Sequence, residues 1–180
     1  RPHLFGGRGS PAQLLSRLTG QNFLGYEDVR VKIRAIIRDQ PLRPGTQALL
    51  DEAQRANIPC AVASSSLHAW VDPGLQTRGI DDHFEAVVCA DDVPRAKPFP
   101  DLFLEACRLL NTDPEETVAI EDSANGLAAA KAAGLFTIVT PNPVTQNLDF
   151  STADLVLPDL SHFDLNGIRQ ALVQRKLRHA

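Results

Sequence analysis

Apolar positions along this chain change their rhythm near residue 41, and the change divides the sequence in two. Before it, Leu14, Leu15 and Leu18 fall at helical spacing behind Ser10-Pro11, an N-cap followed by proline at the first helical position, and Gly20 can stop that helix. Val29, Ile33, Ile36 and Ile37 share one face of a second amphipathic stretch over residues 26–38. This first region reads as all-helical. Pro41-Leu42-Arg43-Pro44-Gly45 is a break of stiff residues. After it, short apolar runs at 58–63, 84–89, 117–120 and 136–139 alternate with helical patterns at 46–57, 67–79, 99–110, 123–133 and 164–178, and 154–157 is a candidate fifth run. Leu49, Leu50, Ala53 and Ala56 form the stripe of the first of these helices, and Gly134 suits the position just past the end of the fourth. Apolar runs separated by helices predict an α/β fold with a parallel sheet covered on both faces. Sheets of this kind place ligands outside the carboxyl ends of their strands.

Composition narrows the function classes. A chain of 180 residues and 19.6 kDa suits one domain, or one domain plus a small appendage. Eighteen basic residues against twenty-two acidic ones leave a formal charge of −4, which argues against a nucleic-acid footprint. No apolar run approaches the ~18 residues of a membrane span, and no signal-peptide pattern opens the chain. Cys60, Cys89 and Cys107 form no C-x-x-C pair and sit in apolar runs or a helical pattern. They read as reduced structural thiols of a cytoplasmic protein, with metal ligation or nucleophilic catalysis as the lesser alternatives. His3, His83, His162 and His179 read as loop or surface residues, and Phe99 as a core anchor. The chain has no methionine and begins Arg1-Pro2, so it is expected to be a piece of a longer protein.

Polar groups gather where three apolar runs end: Ser64-Ser65-Ser66 after the first, Lys97 after the second and Glu121-Asp122 at the close of the third. Two adjacent carboxylates suit a hard divalent cation such as Mg²⁺. A lysine ammonium, hydroxyls and backbone N–H groups suit phosphoryl oxygens, in a chemistry that is mostly positioning and electrostatics. Taken singly, the serines also read as a helix N-cap, Lys97 as a solvated loop lysine, and Glu121-Asp122-Ser123 as a capping cluster. Their joint occurrence at successive strand ends favours one crevice.

These residues resemble the haloacid dehalogenase superfamily, and within it the β-phosphoglucomutase-like branch. The matching segments are Pro41 to Gly45, Ala61 to Ser66, Lys97-Pro98-Phe99-Pro100-Asp101, and Ile120-Glu121-Asp122-Ser123-Ala124-Asn125-Gly126 continuing through Ala130-Lys131-Ala132-Ala133-Gly134. The resemblance implies a Rossmann-like α/β core, residues 41–180, with a partial helical cap, residues 1–40. It implies that Ser64 binds the transferring phosphoryl group and that Lys97 neutralises charge on it and on the nucleophile. Asp122 would be a direct Mg²⁺ ligand, and Glu121 would support the metal directly or through water. Ser65 would contribute with Ser64 to phosphoryl binding. Ser66 and His68 sit where mutase-like relatives hold a second phosphate, and Arg8 sits in the cap loop that reads substrate.

The superfamily's first motif, D-x-D, whose leading aspartate is the nucleophile and whose strand lies centrally, occurs nowhere in these residues. The core is therefore expected to lack its first strand and to leave two inner strand edges unpaired, an exposed template for association. Dimerisation or strand swapping is an open outcome of such an edge. The implied function is Mg²⁺-dependent phosphatase or phosphomutase action on a small phosphorylated metabolite such as a sugar phosphate, through an aspartyl-phosphate whose aspartate lies outside these residues. The alternative is a non-catalytic, phosphate-ligand-binding or regulatory module. Neither reading involves a nucleic acid or a membrane.

Overall fold

The computed structural model describes residues 40–179. The chain divides into two units, Arg1–Pro41 and Leu42–Ala180. The expected cap helices and Arg8 lie outside the described residues.

The second unit alternates helix and strand as the apolar rhythm predicts: α1 (Thr46–Arg55), β1 (Ala61–Ala63), α2 (His68–Thr77), β2 (Ala86–Val88), α3 (Asp101–Leu110), β3 (Val118–Glu121), α4 (Ala124–Ala132), β4 (Phe136–Val139), β5 (Leu155–Val156) and α5 (Leu165–His179). All pairings are parallel. β1 pairs with β2 in the register Ala61↔Ala86, and β4 lies between β3 and β5, with Val118↔Phe136 and Ile138↔Leu155. β4, Phe-Thr-Ile-Val, is buried at every position, as a strand covered on both faces must be.

Helices cover the strands through narrow apolar stripes. Leu102, Phe103, Ala106 and Cys107 form the buried face of α3. In α4, Ala129 and Ala130 are wholly buried, so its alanines let the helix sit close to the sheet. Its first turn is capped by Ser123, whose Oγ accepts the Gly126 N–H at 3.0 Å. α1 starts at Gly45, which has φ 82°, and a Cβ there would lie 2.1 Å from the Leu160 backbone carbon. Only glycine satisfies both demands.

Among the described residues the strands form two sheets, β1–β2 and β3–β4–β5, rather than one. β1 and β3 do not pair. A largely apolar slot of about 870 Å³ lies there, lined among others by Ala61 and Ala63 of β1, Ala119 of β3, and Phe103 and Cys107 of α3. Two single-residue expectations are corrected. Phe99 is 47% exposed rather than a core anchor, because it precedes α3 on the surface, where the Arg95 guanidinium lies 4.5 Å from its ring centroid. His83 is not a surface residue: its side chain is 11% exposed, and its Nε2 meets Asp51 Oδ1 at 2.9 Å, joining the turn Asp81–His83 to α1.

Candidate active site

The carboxyl ends of the strands carry the polar groups expected there. β3 ends at Glu121, which is buried, and its carbonyl accepts the Thr140 N–H at 2.7 Å, tying β3 to the residue just beyond β4. Its carboxylate turns inward. Oε1 accepts a hydrogen bond from Lys97 Nζ. Oε2 faces the Asp122 N–H and the Ser123 hydroxyl, both at 3.3 Å. The Lys97 and Glu121 side chains are 12% and 6% exposed, so this is a largely desolvated ion pair. Lys97 Nζ also lies 4.7 Å from the Phe103 ring centroid. Lys97 is thus not a solvated loop lysine.

This inward turn requires Gly126. A Cβ at that position would sit 1.8 Å from Glu121 Oε2 and 2.1 Å from its Cδ. The capping role considered for Glu121-Asp122-Ser123 belongs to Ser123 alone.

Asp122 is half-buried, and its Oδ2 accepts a hydrogen bond from Asn142 Nδ2 at 2.8 Å. Asn142 follows β4, and the backbone leading to it is clamped by Arg43. The guanidinium donates to the Thr140 carbonyl, to Thr140 Oγ1 at 3.1 Å and to the Pro141 carbonyl at 2.7 Å. Sequence reasoning missed Asn142, Thr140 and Arg43. Applying the strand-end rule to the fourth apolar run would have found the first two, since Thr140 to Pro143 closes β4.

Ser64 follows β1, and its N–H donates to the Val88 carbonyl at 2.8 Å. Its Oγ accepts the Ser66 N–H at 3.1 Å, closing a small turn. Ser65 and Ser66 are exposed. The N-cap of α2 is Leu67, with no side-chain cap. The three hydroxyls are therefore not consumed as the cap of that helix.

Lys97, Glu121, Asp122 and Ala63 line the slot between β1 and β3, which places Ser64 next to it in the chain. His68 faces different groups. Its Nδ1 meets both oxygens of Asp72, at 3.0 and 3.1 Å, and its Nε2 meets Asp92 Oδ2 at 2.7 Å. Hydrogen bonds to Asp72 and then Asp92 raise the His68 pKa above its ordinary value. The Cys89 N–H, donating at 2.7 Å, is the main reason the Asp92 carboxyl is held below the usual range. Burial, reinforced by Asp72, Asp91 and Asp92, pushes the Cys89 thiol up to about 11. Cys60, Cys89 and Cys107 are all free thiols.

Comparison with known proteins gives the family and the fold. A family model, haloacid dehalogenase-like hydrolase, matches residues 9–134. YhcW of Bacillus subtilis (strain 168) is 35% identical over 159 residues, 86% of this chain and 72% of that protein. The chain spans about half the length of several other curated relatives. Among solved structures, a mutant CbbY from Rhodobacter sphaeroides in complex with xylulose-(1,5)bisphosphate superposes with a TM-score of 0.72 at 33% identity, covering 85% of this chain and 75% of that one. β-Phosphoglucomutase from Clostridium difficile shares the fold, with a TM-score of 0.70 at 23% identity over 93% of this chain and 79% of that one.

Proposed function

Because the chain belongs to the haloacid dehalogenase-like hydrolases, we propose that it forms the phosphate- and metal-holding part of a Mg²⁺-dependent phosphatase or phosphomutase acting on a small sugar phosphate. The observation that carries this reading is the desolvated Lys97–Glu121 pair beside Asp122 at the mouth of the slot. A lysine held there by a buried carboxylate is a fixed positive charge for phosphoryl oxygens, positioned before substrate arrives. Ser64 Oγ and the exposed turn at Ser65 and Ser66 offer donors on the β1 side. The same reading assigns Arg8 to substrate recognition.

The residues fit the ion. Mg²⁺ is held by one or two carboxylates together with phosphate oxygens and waters. Asp122 offers one carboxylate, steadied by Asn142 through Oδ2, with Oδ1 free of protein partners among the described residues. Glu121 has both oxygens engaged, so its part is to hold Lys97. When bound, the ion supplies charge neutralisation for the transferring phosphoryl group.

The nucleophilic carboxylate comes from outside these residues, on an extended segment entering between β1 and β3. The slot supports this, because both strands turn toward it an edge unpaired among the described residues. The sugar-phosphate class rests on the ligand of the CbbY complex, a pentulose bisphosphate.

Phosphate release from a panel of pentose and hexose mono- and bisphosphates tests the proposal. The assay compares the 180-residue chain with a version extended upstream by an apolar strand ending in Asp-x-Asp. Turnover is expected only in the extended version, abolished by Asp122→Asn and Lys97→Met. Ester binding without turnover in both versions would establish the second reading, a non-catalytic phosphate-binding module.

A further inference from the structure

We propose that His68, Cys89, Asp91 and Asp92 form a binding site for a borderline-soft divalent transition metal, Zn²⁺ being the best fit. Their candidate ligand atoms all lie within 4.8 Å of one another. They come from two places that the fold brings together. His68 opens α2, and Cys89, Asp91 and Asp92 follow β2. The backbone between them is already fixed. The Ala90 N–H donates to the Ser66 carbonyl at 3.0 Å, the His68 N–H to Asp91 Oδ1 at 3.2 Å, and the Cys89 N–H to Asp92 Oδ2 at 2.7 Å.

Three features point to a metal rather than to a phosphate. First, Cys89 is wholly buried, and its Sγ has no hydrogen-bond partner among the described residues, yet it faces the other three groups. Second, Asp72 holds His68 Nδ1 from the far side. A carboxylate on one ring nitrogen is the usual support of a metal-bound histidine; Nε2 meets Asp92 Oδ2 at 2.7 Å, a contact between two candidate ligands that the ion would enter and replace. Third, three carboxylates surround a single imidazole, a field that repels anions and attracts a dication.

One thiolate, one imidazole and two carboxylates is a mixed S/N/O set. It suits tetrahedral Zn²⁺ and is a poor match for Mg²⁺, which takes oxygen ligands in an octahedron. Zn–ligand bonds of about 2.0–2.3 Å put tetrahedral ligand atoms roughly 3.3–3.8 Å apart. No pair need close by more than about 1 Å, and the His68 Nε2–Asp92 Oδ2 pair, at 2.7 Å, must open by about 0.6–1.1 Å, adjustments within reach of the exposed Asp91 and Asp92 side chains. The bound ion would tie the Ser64–Ser66 turn to the loop that leads to Lys97.

Cobalt substitution and zinc calorimetry on the chelator-treated protein test the site. The expected result is one Co²⁺ per chain with tetrahedral d–d bands and a thiolate-to-cobalt charge-transfer band, and displacement by Zn²⁺ but not by excess Mg²⁺. Cys89→Ser should remove the charge-transfer band. Asp91→Asn, which keeps an Oδ1 acceptor for the His68 N–H, should weaken Zn²⁺ binding at least tenfold, and Asp72→Asn by about 10–100-fold. Asp122→Asn should leave the stoichiometry and affinity for Zn²⁺ unchanged. Absence of the charge-transfer band at one equivalent of Co²⁺, or Zn²⁺ affinity indifferent to both Asp91→Asn and His68→Gln, would overturn the proposal.

Discussion

Gly126→Ala is expected to act on the active site through Glu121 rather than through its own helix. The new methyl would lie 1.8 Å from Glu121 Oε2, 2.1 Å from Cδ and 2.5 Å from Oε1. An ordinary contact is about 3.5 Å, so the carboxylate must retreat by roughly 1.5 Å. That retreat separates it from Lys97 and from the Asp122 N–H and Ser123 hydroxyl. With side-chain exposures of 12% and 6%, neither partner reaches water easily. Separating a buried pair costs about 3–5 kcal/mol. Replacing a helical glycine by alanine returns about 0.5–1 kcal/mol. The net loss should be about 2–4 kcal/mol, read as a lowered urea midpoint at unchanged slope. A double-mutant cycle isolates the cause. In a Glu121→Ala background the methyl meets no carboxylate, and Gly126→Ala should become neutral or slightly stabilising. Equal losses in the two backgrounds would refute the reasoning, as would a wild-type-like midpoint for Gly126→Ala alone.

Other perturbations probe the neighbouring shell. Asn142→Ala removes the 2.8 Å bond that orients Asp122; Mg²⁺-dependent phosphate-ester binding should weaken by about 10–100-fold in calorimetry, and an unchanged affinity would count against Asp122 as the metal ligand. Arg43→Ala cuts the guanidinium bonds to Thr140 and Pro141; bonds from a charged donor are worth about 1.5–3 kcal/mol, and Arg43→Lys should recover only part of the loss because an ammonium lacks the planar fork. Asp51 accepts hydrogen bonds from Gln47 and His83, and these hold its carboxyl below the usual range, Gln47 contributing most. Its folded pKa is the lower one, so its contribution is complete above the unfolded value of about 3.9 and fades as pH falls through the folded value. Asp51→Asn should therefore lower stability at neutral pH and flatten the acid limb of the stability curve. An acid limb identical to wild type would remove Asp51 from the account.

Where local chemistry decides the outcome, the sequence was a good guide. The alternation of apolar runs and helical stripes located every strand from β1 to β5, and the strand-end rule brought Lys97, Glu121 and Asp122 to one place. What it could not show were features set by neighbours far along the chain. Arg43 reaches Thr140 across 97 residues, and nothing local to Pro41 through Gly45 indicates that partner. Gly126 looks like an ordinary first-turn residue until the inward rotamer of Glu121 is known. Phe99 was expected in the core, and His83, which does lie in a turn, is more buried than a surface residue, because average burial tendencies ignore specific partners. His83 is drawn in by Asp51, and Phe99 is held outside beside Arg95.

The charge balance at the mouth of the slot carries the proposed reading one step further. There, one ammonium, Lys97, shares the slot with two carboxylates, Glu121 and Asp122, and Glu121 already occupies it. A phosphate ester brings more negative charge, and so does each aspartate of an entering strand. Arg43 also lines the slot, but its guanidinium is engaged by the Thr140 and Pro141 oxygens; the cluster with ester and entering aspartates stays anionic, so ester and divalent cation should each promote the binding of the other. Because the coupling is thermodynamic, it must be reciprocal. The factor by which saturating Mg²⁺ tightens binding of a sugar phosphate must equal the factor by which the sugar phosphate tightens binding of Mg²⁺. Two calorimetric titrations, each performed with and without the other ligand, measure both factors. Asp122→Asn should collapse the coupling toward unity. Lys97→Met should weaken ester binding while leaving a measurable dependence on Mg²⁺. Ester affinity independent of Mg²⁺ in the unmodified protein would show that Asp122 does not hold the ion, and the assignment of this crevice to metal-assisted phosphoryl chemistry would fail with it.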